Sequence, residues 1–585
     1  MKKIYLVVLA FFIMYLVYLN STAENIIYMD QMRIAGLLEK YYSGVLTFSD
    51  LWSSQLGHRY LGYHLLFILN AEIFNLNTLV ELNLAACLLL FISILIVKSV
   101  YKSTNLIEQS KSNGKYLEVV SLILIVSIMF SLHNWELSLL GLGLNEVIPQ
   151  SLFMIIVYIL NDLLINKSIN PIRKILLFLS LNLAVVFFSL GVNAPFIVGI
   201  YVITLIDFIV KKNEIKSKLK ILVALSINLI IVCSMYLYNL NEDAFAGQQI
   251  SLIEKINFLL NDPFKVFVFY LIGLSGSIIG SETSTLILNN ITIGVIGGVI
   301  FLFYIVAVYL FFNKRLFNLT YLPLFLIIYS LLYMGLVSIS RYDYGILYGL
   351  QSRYARSLML GVIGIIWIMM LSIKVSTNSS RLKIINSFLI AFILLGLIIT
   401  NGDEINKSSD REAYYQNMRT IAFYSEIEKV DVFQSPPELT IKAFEILKDN
   451  NLNVFHDYPK KELGKLGTDI NNSIILSEIY KESSGNYWFG ENSKLQMKSG
   501  TLGSVKIKGY MNDIYDKNKI SIFVNGEKKL EKEIVPGEFE IEFEAEPNKI
   551  LNFEFEIEKI FIPSELSESK DSRKLGVLIT SFDCN

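Results

Sequence analysis

The sequence has few of the residues from which disulfide scaffolds and metal centres are built. Its 585 residues include three cysteines and four histidines. Cys87 and Cys233 lie inside apolar runs and Cys584 is the second-last residue, so their spacing forms neither a disulfide framework nor a zinc-ligand motif. We therefore expect no cofactor, and no pattern indicates a divalent metal ion.

The chain also lacks an excess of either charge. Lys and Arg number 51, and Asp and Glu number 52, which gives a net charge of −1. Proteins that bind nucleic acid rely on a positive surface field, so this balance argues against a nucleic-acid partner. Hydrophobic residues instead make up 53% of the sequence. Soluble domains usually have about 45–50%, so we expect a membrane protein.

Apolar residues are distributed unevenly along the chain. Up to Thr400 one hydrophobic run follows another, whereas the sequence from Asn401 onward is polar, charged and rich in turn residues. We therefore predict a membrane part and a soluble part of roughly 185 residues, which is long enough for its own core, and we divide the chain into three domains. They are a transmembrane domain over residues 1–400, a mixed α/β linker domain over 401–485, and a β-sandwich over 486–585.

Eleven apolar segments approach the ~20 residues that a membrane-spanning helix needs. The segments are Ile4–Leu19, Leu79–Val97, Leu117–Leu132, Pro149–Ile165, Ile175–Ser189, Pro195–Val210, Ile221–Asn239, Ile291–Phe312, Leu319–Ser338, Ser357–Ile373 and Ile384–Thr400. A further apolar segment, Phe264–Gly280, is predicted to be re-entrant or interfacial, because its crossing would move later Lys- and Arg-rich loops to the outer side. Its three glycines suit irregular backbone that is buried in protein.

The distribution of Lys and Arg predicts the sidedness of these segments. Lys2 and Lys3 place the N-terminus inside, and basic clusters recur in every second loop. Eleven crossings of a bacterial cytoplasmic membrane then make a multi-pass protein whose C-terminal region is extracytoplasmic. The first segment could instead be a signal peptide, because residues 21–23 resemble a cleavage site, but cleavage would not change the sidedness of the rest.

Ionisable residues gather in the loops on the predicted outer side. The first of these loops contains two amphipathic stretches that we expect to lie on the membrane surface as helices. The second outward loop and the loop after Ser338 carry further acids, histidines and arginines. The candidate site residues are Asp30, His58, Arg59, His133, Glu136, Arg341, Arg353 and Tyr354.

These residue types suit transfer chemistry on a phosphate-linked substrate. Arginine and histidine side chains could hold a phosphate or diphosphate at headgroup depth. An acid such as Asp30 could deprotonate an acceptor hydroxyl, while the cations stabilise the charge of the departing phosphate. Structural alternatives exist: Asp30 as a solvated loop acid, Arg59 as an interfacial anchor, and His64 as a buried structural residue.

This arrangement resembles the GT-C superfamily of membrane glycosyltransferases. "YMDQMR" places Asp30 where the family has an acid soon after its first helix, and "FSDLWSSQLGHRYLGYHLLF" is similar to a loop pattern of bacterial members. "SRYDYGILYGLQSRY" resembles a late motif of the same group, and "DSRKLGVLI" resembles the end of an associated β-domain. Many members have two adjacent acids, whereas Met29 and Gln31 flank Asp30, so Asp30 and Glu136 stand as alternative bases.

The resemblance implies a hexosyl or pentosyl transferase that uses a polyprenyl-phosphate-linked sugar donor. A cell-surface glycan or glycoprotein would be the acceptor, and membrane lipid would be a further partner. The donor-binding residues would be His58, Arg59, His133, Arg341, Arg353 and Tyr354. Two alternatives stay open: a flippase or transporter of lipid-linked glycan, which needs a polar pathway that the apolar segments do not show, and a non-catalytic glycan-binding membrane scaffold.

The region after Trp488 has the alternating pattern of short β-strands. The segments "SVKIKGY", "KISIFV", "EFEIEFEA" and "ILNFEFEIEKIFI" alternate apolar and polar residues. An Asn-Gly pair at residues 525–526 predicts a two-residue hairpin. Upstream, Ser-Pro-Pro precedes a helical stripe of Ile441, Phe444 and Leu447, which predicts a helix.

Overall fold

The computed structural model divides the chain into two compact units, Met1–Asn453 and Val454–Asn585. It describes residues 2–55, 58–107, 115–165, 171–189, 193–211, 215–238, 260–376, 379–424, 427–456, 468–482, 484–566 and 573–585. The helices that follow Thr400 up to Asp449 thus belong to the first unit. The domain boundaries predicted at residues 400 and 485 stay predictions.

The first unit is helical. Its helices are α1 (Lys2–Thr22), α2 (Asp30–Ile34), α3 (Gly36–Tyr42), α4 (Phe48–Trp52), α5 (Leu61–Phe74), α6 (Thr78–Asn105), α7 (Lys115–Met129), α8 (Trp135–Ser138), α9 (Leu144–Ile165), α10 (Pro171–Ser189), α11 (Ala194–Val210), α12 (Ile215–Leu237), α13 (Pro263–Ser275), α14 (Ser281–Ile287), α15 (Asn290–Asn313), α16 (Leu322–Arg341), α17 (Ser352–Val375), α18 (Ser380–Asn406), α19 (Ser408–Tyr424) and α20 (Pro437–Asp449). Two short strands, β1 (Ser54–Gln55) and β2 (His58–Arg59), pair between α4 and α5.

Eight spans among the described residues are long and apolar enough to cross a membrane. They include α1, α6, α7, α9, α15, α16, α17 and α18. The expectation of a multi-pass membrane protein is confirmed at this level. The three other predicted crossings fall on α10, α11 and α12, and the total of eleven crossings stays a prediction.

Helix α17 lies at the centre of the helical unit, because 89% of the residues in its most apolar 18-residue stretch are buried. It is apolar on all sides, which is typical of a helix that neighbours surround completely. Gly364 lets α16 approach closely, because an added Cβ would lie 2.5 Å from the Pro323 carbonyl oxygen. Trp367 anchors α17 to α6 by donating its indole N–H to Ser103 Oγ at 2.9 Å. These contacts fix the position of the second half of α17 against its neighbours.

The apolar segment at residues 264–280 forms α13 and a turn. Thirteen residues rise about 20 Å, which is short of the ~30 Å hydrocarbon thickness. The turn after α13 is buried, and the Gly280 N–H donates to Thr400 Oγ1 at 2.9 Å. His133 also holds this turn, since its Nε2 lies 3.0 Å from the Ile278 carbonyl oxygen. Only the turn after α13 is thus irregular backbone held by neighbouring protein, and the re-entrant or interfacial placement of the segment stays a prediction.

The helix predicted after Ser-Pro-Pro is confirmed as α20. Phe444 and Leu447 of its apolar stripe are buried, and Ile441 is half-buried. Phe444 packs against Phe433, whose ring centroid is 5.1 Å away. Phe433 in turn accepts a backbone hydrogen bond from Met29 N–H at 2.9 Å. This packing connects the segment before α20 to the start of α2.

The second unit is an antiparallel sheet of eight strands. They are β3 (Ile474–Lys481), β4 (Tyr487–Lys498), β5 (Ser504–Met511), β6 (Asn518–Val524), β7 (Glu527–Ile534), β8 (Gly537–Glu544), β9 (Ile550–Ile557) and β10 (Val577–Cys584). The order is β7-β6-β9-β4-β10-β5-β8, and β3 also pairs with β4. The sheet is barrel-like: Lys532 Nζ of β7 donates to the Glu540 carbonyl of β8 at 2.6 Å. A two-layer sandwich is not confirmed.

The strand pattern of the sequence accounts for this unit well. The alternating segments form β5, β6, β8 and β9, and their inward residues build one core that includes Val505, Ile522, Ile541 and Phe553. Asn525 and Gly526 both have positive φ, 52° and 81°, as a two-residue hairpin turn requires. The predicted hairpin between β6 and β7 is confirmed.

Candidate functional site

The backbone immediately before Asp30 is strained. Met29 has φ of 55° and ψ of −132°, a conformation that residues with a Cβ rarely adopt. Strain of this kind persists where the surroundings hold the backbone, and it concentrates at functional sites. Asp30 then opens α2 with a side chain that is 40% exposed, its Oδ1 lying 3.7 Å from Arg33 Nε. The Asp30 carboxylate is thus displayed on a fixed turn.

A buried carboxylate network holds α2 from behind. Gln31 donates its side-chain amide to Glu81 Oε2 at 3.2 Å, and the Tyr63 hydroxyl donates to the same oxygen at 3.0 Å. Asn70 donates to Glu81 Oε1 at 2.8 Å. Gly141 packs against this network so closely that an added Cβ would lie 2.7 Å from Gln31 Nε2 and still nearer to the Glu81 carboxylate. Helices α5 and α6 therefore position the residue next to Asp30.

Glu136 meets the start of α17. It lies in α8, is 9% exposed, and accepts a hydrogen bond from Ser352 Oγ at 3.0 Å. The next residue, Arg353, lies within electrostatic range of both the Glu136 and the Asp30 carboxylates. Three helices that are far apart in sequence thus bring the charges of two acids and one arginine within range of each other. The placement of these residues on one outer face of the membrane stays a prediction.

Arg353 is surrounded by aromatic rings. Its Nη2 donates to the Tyr348 hydroxyl at 2.7 Å, and its Cζ lies 5.4 Å and 5.7 Å from the ring centroids of Tyr348 and Tyr354. The buried Nε of Arg353 has no hydrogen-bond partner within the part of the chain that the structure describes. A buried unpaired N–H is costly, so this donor is suited to a ligand acceptor atom.

Arg341 adds a second cation to the same group. It ends α16 with its Cζ 5.4 Å from the Tyr344 ring centroid. Its charge reaches both Tyr60 and Tyr354. Burial raises the pKa of Tyr60, the Asp30 carboxylate raises it further, and Arg341 opposes that shift. Tyr60 therefore stays a neutral phenol between an acid and a cation.

A cavity of about 470 Å³ lies beside Glu136, and we call it the Glu136 cavity. Its volume is in the range of about 300–1,000 Å³ that small-molecule sites occupy. Aromatic, acidic and basic side chains all line it. The lining residues are Tyr28, Met29, Trp135, Glu136, Glu282, Lys407, Asp410, Arg411, Tyr414, Tyr415 and Gln434.

Carboxylates hold both cations of the Glu136 cavity. Arg411 donates to Glu404 at 2.7 Å and to Glu282 at 3.0 Å, while Lys407 lies 2.9 Å from Asp403 and 3.3 Å from Glu282. Burial alone would lower the pKa of Arg411, but pairing with Glu404 and Glu282 raises it above the usual value. Both cations therefore stay charged and held by acids rather than open to an incoming anion.

Tyrosines form another wall of the Glu136 cavity. The Tyr28 and Tyr415 hydroxyl oxygens are 2.9 Å apart, and Tyr414 donates to the Val432 carbonyl at 2.7 Å. Burial raises the pKa of both Tyr28 and Tyr415, and the Glu136 charge raises both further. These phenols remain protonated at physiological pH, so they offer neutral rings and hydroxyl donors.

Two predicted site residues lie in other surroundings, and the side chain of a third is outside the described residues. Arg59 is buried and donates to the carbonyls of Trp52, at 2.5 Å, and Tyr238. His133 is buried, with Nε2 engaged at the turn after α13 and Nδ1 2.6 Å from Ser131 Oγ. The backbone of His58 lies in β2, but its side chain is outside the described residues. Arg59 and His133 thus make contacts typical of structural residues.

Several cavity residues were missed by sequence reasoning. Arg411, Tyr414 and Tyr415 lie in a region that the sequence assigned to a linker domain, although their i, i+3 and i+4 spacing places them on one face of a helix. That spacing was the available signal. Glu282 carried none, because it is a single acid in the seven-residue helix α14.

No group of three or more His, Cys, Asp or Glu side chains suited to a metal ion occurs among the described residues. Comparison of the chain with models of known protein families, with curated proteins and with solved structures found no match.

Proposed function

We propose that the protein is a GT-C-like glycosyltransferase of the bacterial cytoplasmic membrane. It would transfer a sugar from a polyprenyl-phosphate-linked donor to a cell-surface glycan or glycoprotein at the outer face. One observation carries the proposal: two carboxylates, Asp30 and Glu136, share the charge of Arg353 beside a cavity of ligand size. Acid, cation and cavity together are what glycosyl transfer from a phosphate ester needs.

The reaction would be a direct displacement at the anomeric carbon of the donor sugar. The acceptor hydroxyl oxygen forms the new bond to that carbon as the bond from carbon to phosphate oxygen breaks. Asp30, the more exposed of the two acids, takes the hydroxyl proton, and polyprenyl phosphate leaves with the electron pair of the broken bond. Glu136 lines the cavity and binds acceptor polar groups.

The arginines would bind the leaving phosphate. Arg353 has a buried Nε free to donate among the described residues, and Arg341 lies near enough for its charge to act on Tyr354, which Arg353 also contacts. Charge that develops on the phosphate in the transition state would meet cations that are already in place. Tyr354 is 8% exposed and its ring lies under the Arg353 guanidinium, which fixes the orientation of that cation.

An apolar groove supports a lipid-linked donor. It has a volume of about 750 Å³ and lies between α13 and α15, and Ile346 is among its lining residues. Asn290 to Leu302 of α15 line it over a rise of about 18 Å, more than half of the ~30 Å hydrocarbon core. Ile346 is two residues from Tyr348, the hydrogen-bond partner of Arg353. A hydrocarbon chain in the groove would thus have its phosphate near the arginines.

The test uses the purified full chain in proteoliposomes with a synthetic polyprenyl-phosphate hexose labelled in the sugar. Glycans extracted from the cell surface serve as acceptor. We expect label to enter the glycan with release of one polyprenyl phosphate per transfer. Movement of intact labelled donor across the bilayer without cleavage would instead identify a transporter. If the donor is neither cleaved nor moved across the bilayer, the enzymatic and transport hypotheses are both rejected. The non-catalytic glycan-binding scaffold is then the remaining alternative.

A further inference from the structure

The Glu136 cavity has an excess of acid over base that the transfer reaction itself does not require. We propose that the cavity binds an acceptor saccharide through a free ammonium group, so that the preferred acceptor carries an unacylated amino sugar. This inference rests on the proposed function, since it names the acceptor class of the same site.

The count of charges around the cavity indicates the sign of the charge that its ligand carries. Two cations, Lys407 and Arg411, face three lining carboxylates, and two more carboxylates lie directly behind the wall. The five acids are Glu136, Glu282, Asp403, Glu404 and Asp410. Each cation already contacts two of them, so an anionic acceptor would have to break ion pairs that exist.

Two of the acids are available to a cationic group. Glu136 accepts a hydrogen bond from the neutral Ser352 hydroxyl, and Asp410 is exposed at the start of α19. Neither forms a direct ion pair in the described ranges of the chain. Arg353 lies within electrostatic range of Glu136, and with Arg353 included the five acids still outnumber the three cations. An ammonium donates three hydrogen bonds and accepts none, which matches carboxylate oxygens that still have free lone pairs.

The aromatic wall suits the same ligand. Rings of Tyr28, Trp135, Tyr414 and Tyr415 line the cavity, and the negative face of such rings attracts cations. Trp135 already shows this preference, because the Arg411 guanidinium carbon lies 3.2 Å from its ring centroid. The phenols of Tyr28 and Tyr415 stay neutral, because burial raises the pKa of both, and the rings also provide apolar surface for the sugar ring.

Backbone strain fixes the shape of this wall. Met29 and Gln434 both line the cavity, and both have positive φ, 55° and 52°, although neither is glycine. They lie on neighbouring segments, since Met29 N–H donates to the carbonyl of Phe433. Two strained positions at one cavity indicate a site whose geometry is held before the ligand arrives, which reduces the ordering cost of binding.

The experiment compares three matched saccharides on the detergent-purified full chain at pH 6, where an amino sugar carries its proton. Glucosamine, N-acetylglucosamine and glucuronic acid present an ammonium, a neutral amide and a carboxylate on similar rings. Calorimetric titration should give a Kd for glucosamine at least tenfold below the other two, rising with added salt. Equal or tighter binding of either other sugar, or no binding of glucosamine, would overturn the proposal.

A pair of variants tests the contribution of the Asp410 carboxylate to binding. Asp410→Asn keeps the size of an exposed side chain, and we expect it to weaken glucosamine binding severalfold while N-acetylglucosamine binding is unchanged. Asp449→Asn, at the exposed end of α20 and outside the cavity, is the matched control and should leave both unchanged. An Asp410→Asn variant with wild-type selectivity for glucosamine would contradict the account.

The outcome is separable from the transfer assay. Selective glucosamine binding without any transfer in proteoliposomes would support the ammonium site and contradict the glycosyltransferase function. Transfer to neutral glycans as fast as to glycans with free amino groups would support the glycosyltransferase function and contradict the ammonium site.

Discussion

Replacing Asp30 with asparagine tests the base that starts the proposed reaction. The change keeps the shape of the side chain and removes its charge. Its effect on folding should be small, because Arg33 lies 3.7 Å away and the Asp30 side chain is 40% exposed. Exposed ion pairs contribute about 0–1 kcal/mol, so we expect the free energy of unfolding to fall by less than about 1 kcal/mol.

The expected effect of Asp30→Asn on catalysis is much larger. Loss of a positioned general base costs about 10²–10⁴-fold in rate. At about 1.36 kcal/mol per tenfold, the barrier should rise by about 3–5 kcal/mol. Arg341 and Arg353 remain in place, so the KM for the donor should change far less than kcat. The signature is therefore a lost kcat in a protein that still folds and still binds donor.

Initial rates of sugar transfer in proteoliposomes, together with thermal unfolding of the same preparations, measure both effects. Glu39→Gln is the matched control, because Glu39 is another exposed acid of the same region and pairs with Lys442 at 2.7 Å. It should keep wild-type kcat and nearly wild-type stability. Wild-type turnover by Asp30→Asn would remove Asp30 from the mechanism, and equal loss of stability and activity would make its role structural.

Three further perturbations test other parts of the structure. Gly294→Leu should fill the apolar groove and raise the KM for the donor about threefold or more. Gly335→Leu, whose side chain would also point into open space, is the control and should leave the KM unchanged. Equal effects of the two variants would contradict the groove as the binding site of the donor's hydrocarbon chain. Gly141→Ala should cost about 1–3 kcal/mol in thermal unfolding because its Cβ enters the buried carboxylate network, while Gly36→Ala has room and should be neutral. Burial lowers the pKa of His64 to about 4, so the folded state favours the neutral imidazole. The resulting contribution to the free energy of unfolding, about 3 kcal/mol, is fully present above pH ~6.5 and should be lost as the pH falls from there to ~4. His64→Gln should remove this loss of stability between pH ~6.5 and ~4. An unchanged dependence of stability on pH in the variant would show that His64 is not the group responsible.

The helices and strands follow closely from local pattern. Eight of the apolar segments form spans of sufficient length, and α20 begins at the Ser-Pro-Pro signal and buries the predicted stripe. The hairpin at Asn525 and Gly526 forms because those two residue types tolerate positive φ at low cost. These features depend on residues close together in the chain, and such residues are what sequence periodicity reports.

The convergence of Asp30, Glu136 and Arg353 was also within reach of the sequence. Alternation of basic loops predicts that their three segments lie on the same side of the membrane, and the structure places Arg353 within electrostatic range of both carboxylates. A predicted side limits where a residue lies, however, and it does not determine which way a side chain points. Arg59 is predicted on the same side, yet its guanidinium is buried against the carbonyls of Trp52 and Tyr238.

The Glu136 cavity could not be derived from the sequence, because it depends on packing between distant segments. Its aromatic wall needs α19 to fold back beside the end of α1, where Arg419 of α19 donates to Glu24 at 2.8 Å. It also needs Glu282 to reach Arg411, 129 residues later in the chain. Neither contact leaves a periodic signal, since each is a single long-range pair of ordinary surface residue types.

The most direct test of the glycosyltransferase assignment is mass spectrometry of lipid-linked sugars and surface glycans from cells with and without this protein. Loss of the protein should remove one sugar from a surface glycan or glycoprotein while the corresponding polyprenyl-phosphate sugar accumulates. Restoring the wild-type chain should reverse both changes, and restoring Asp30→Asn should reverse neither. Identical profiles of surface glycans and lipid-linked sugars in cells with and without the protein would contradict the assignment.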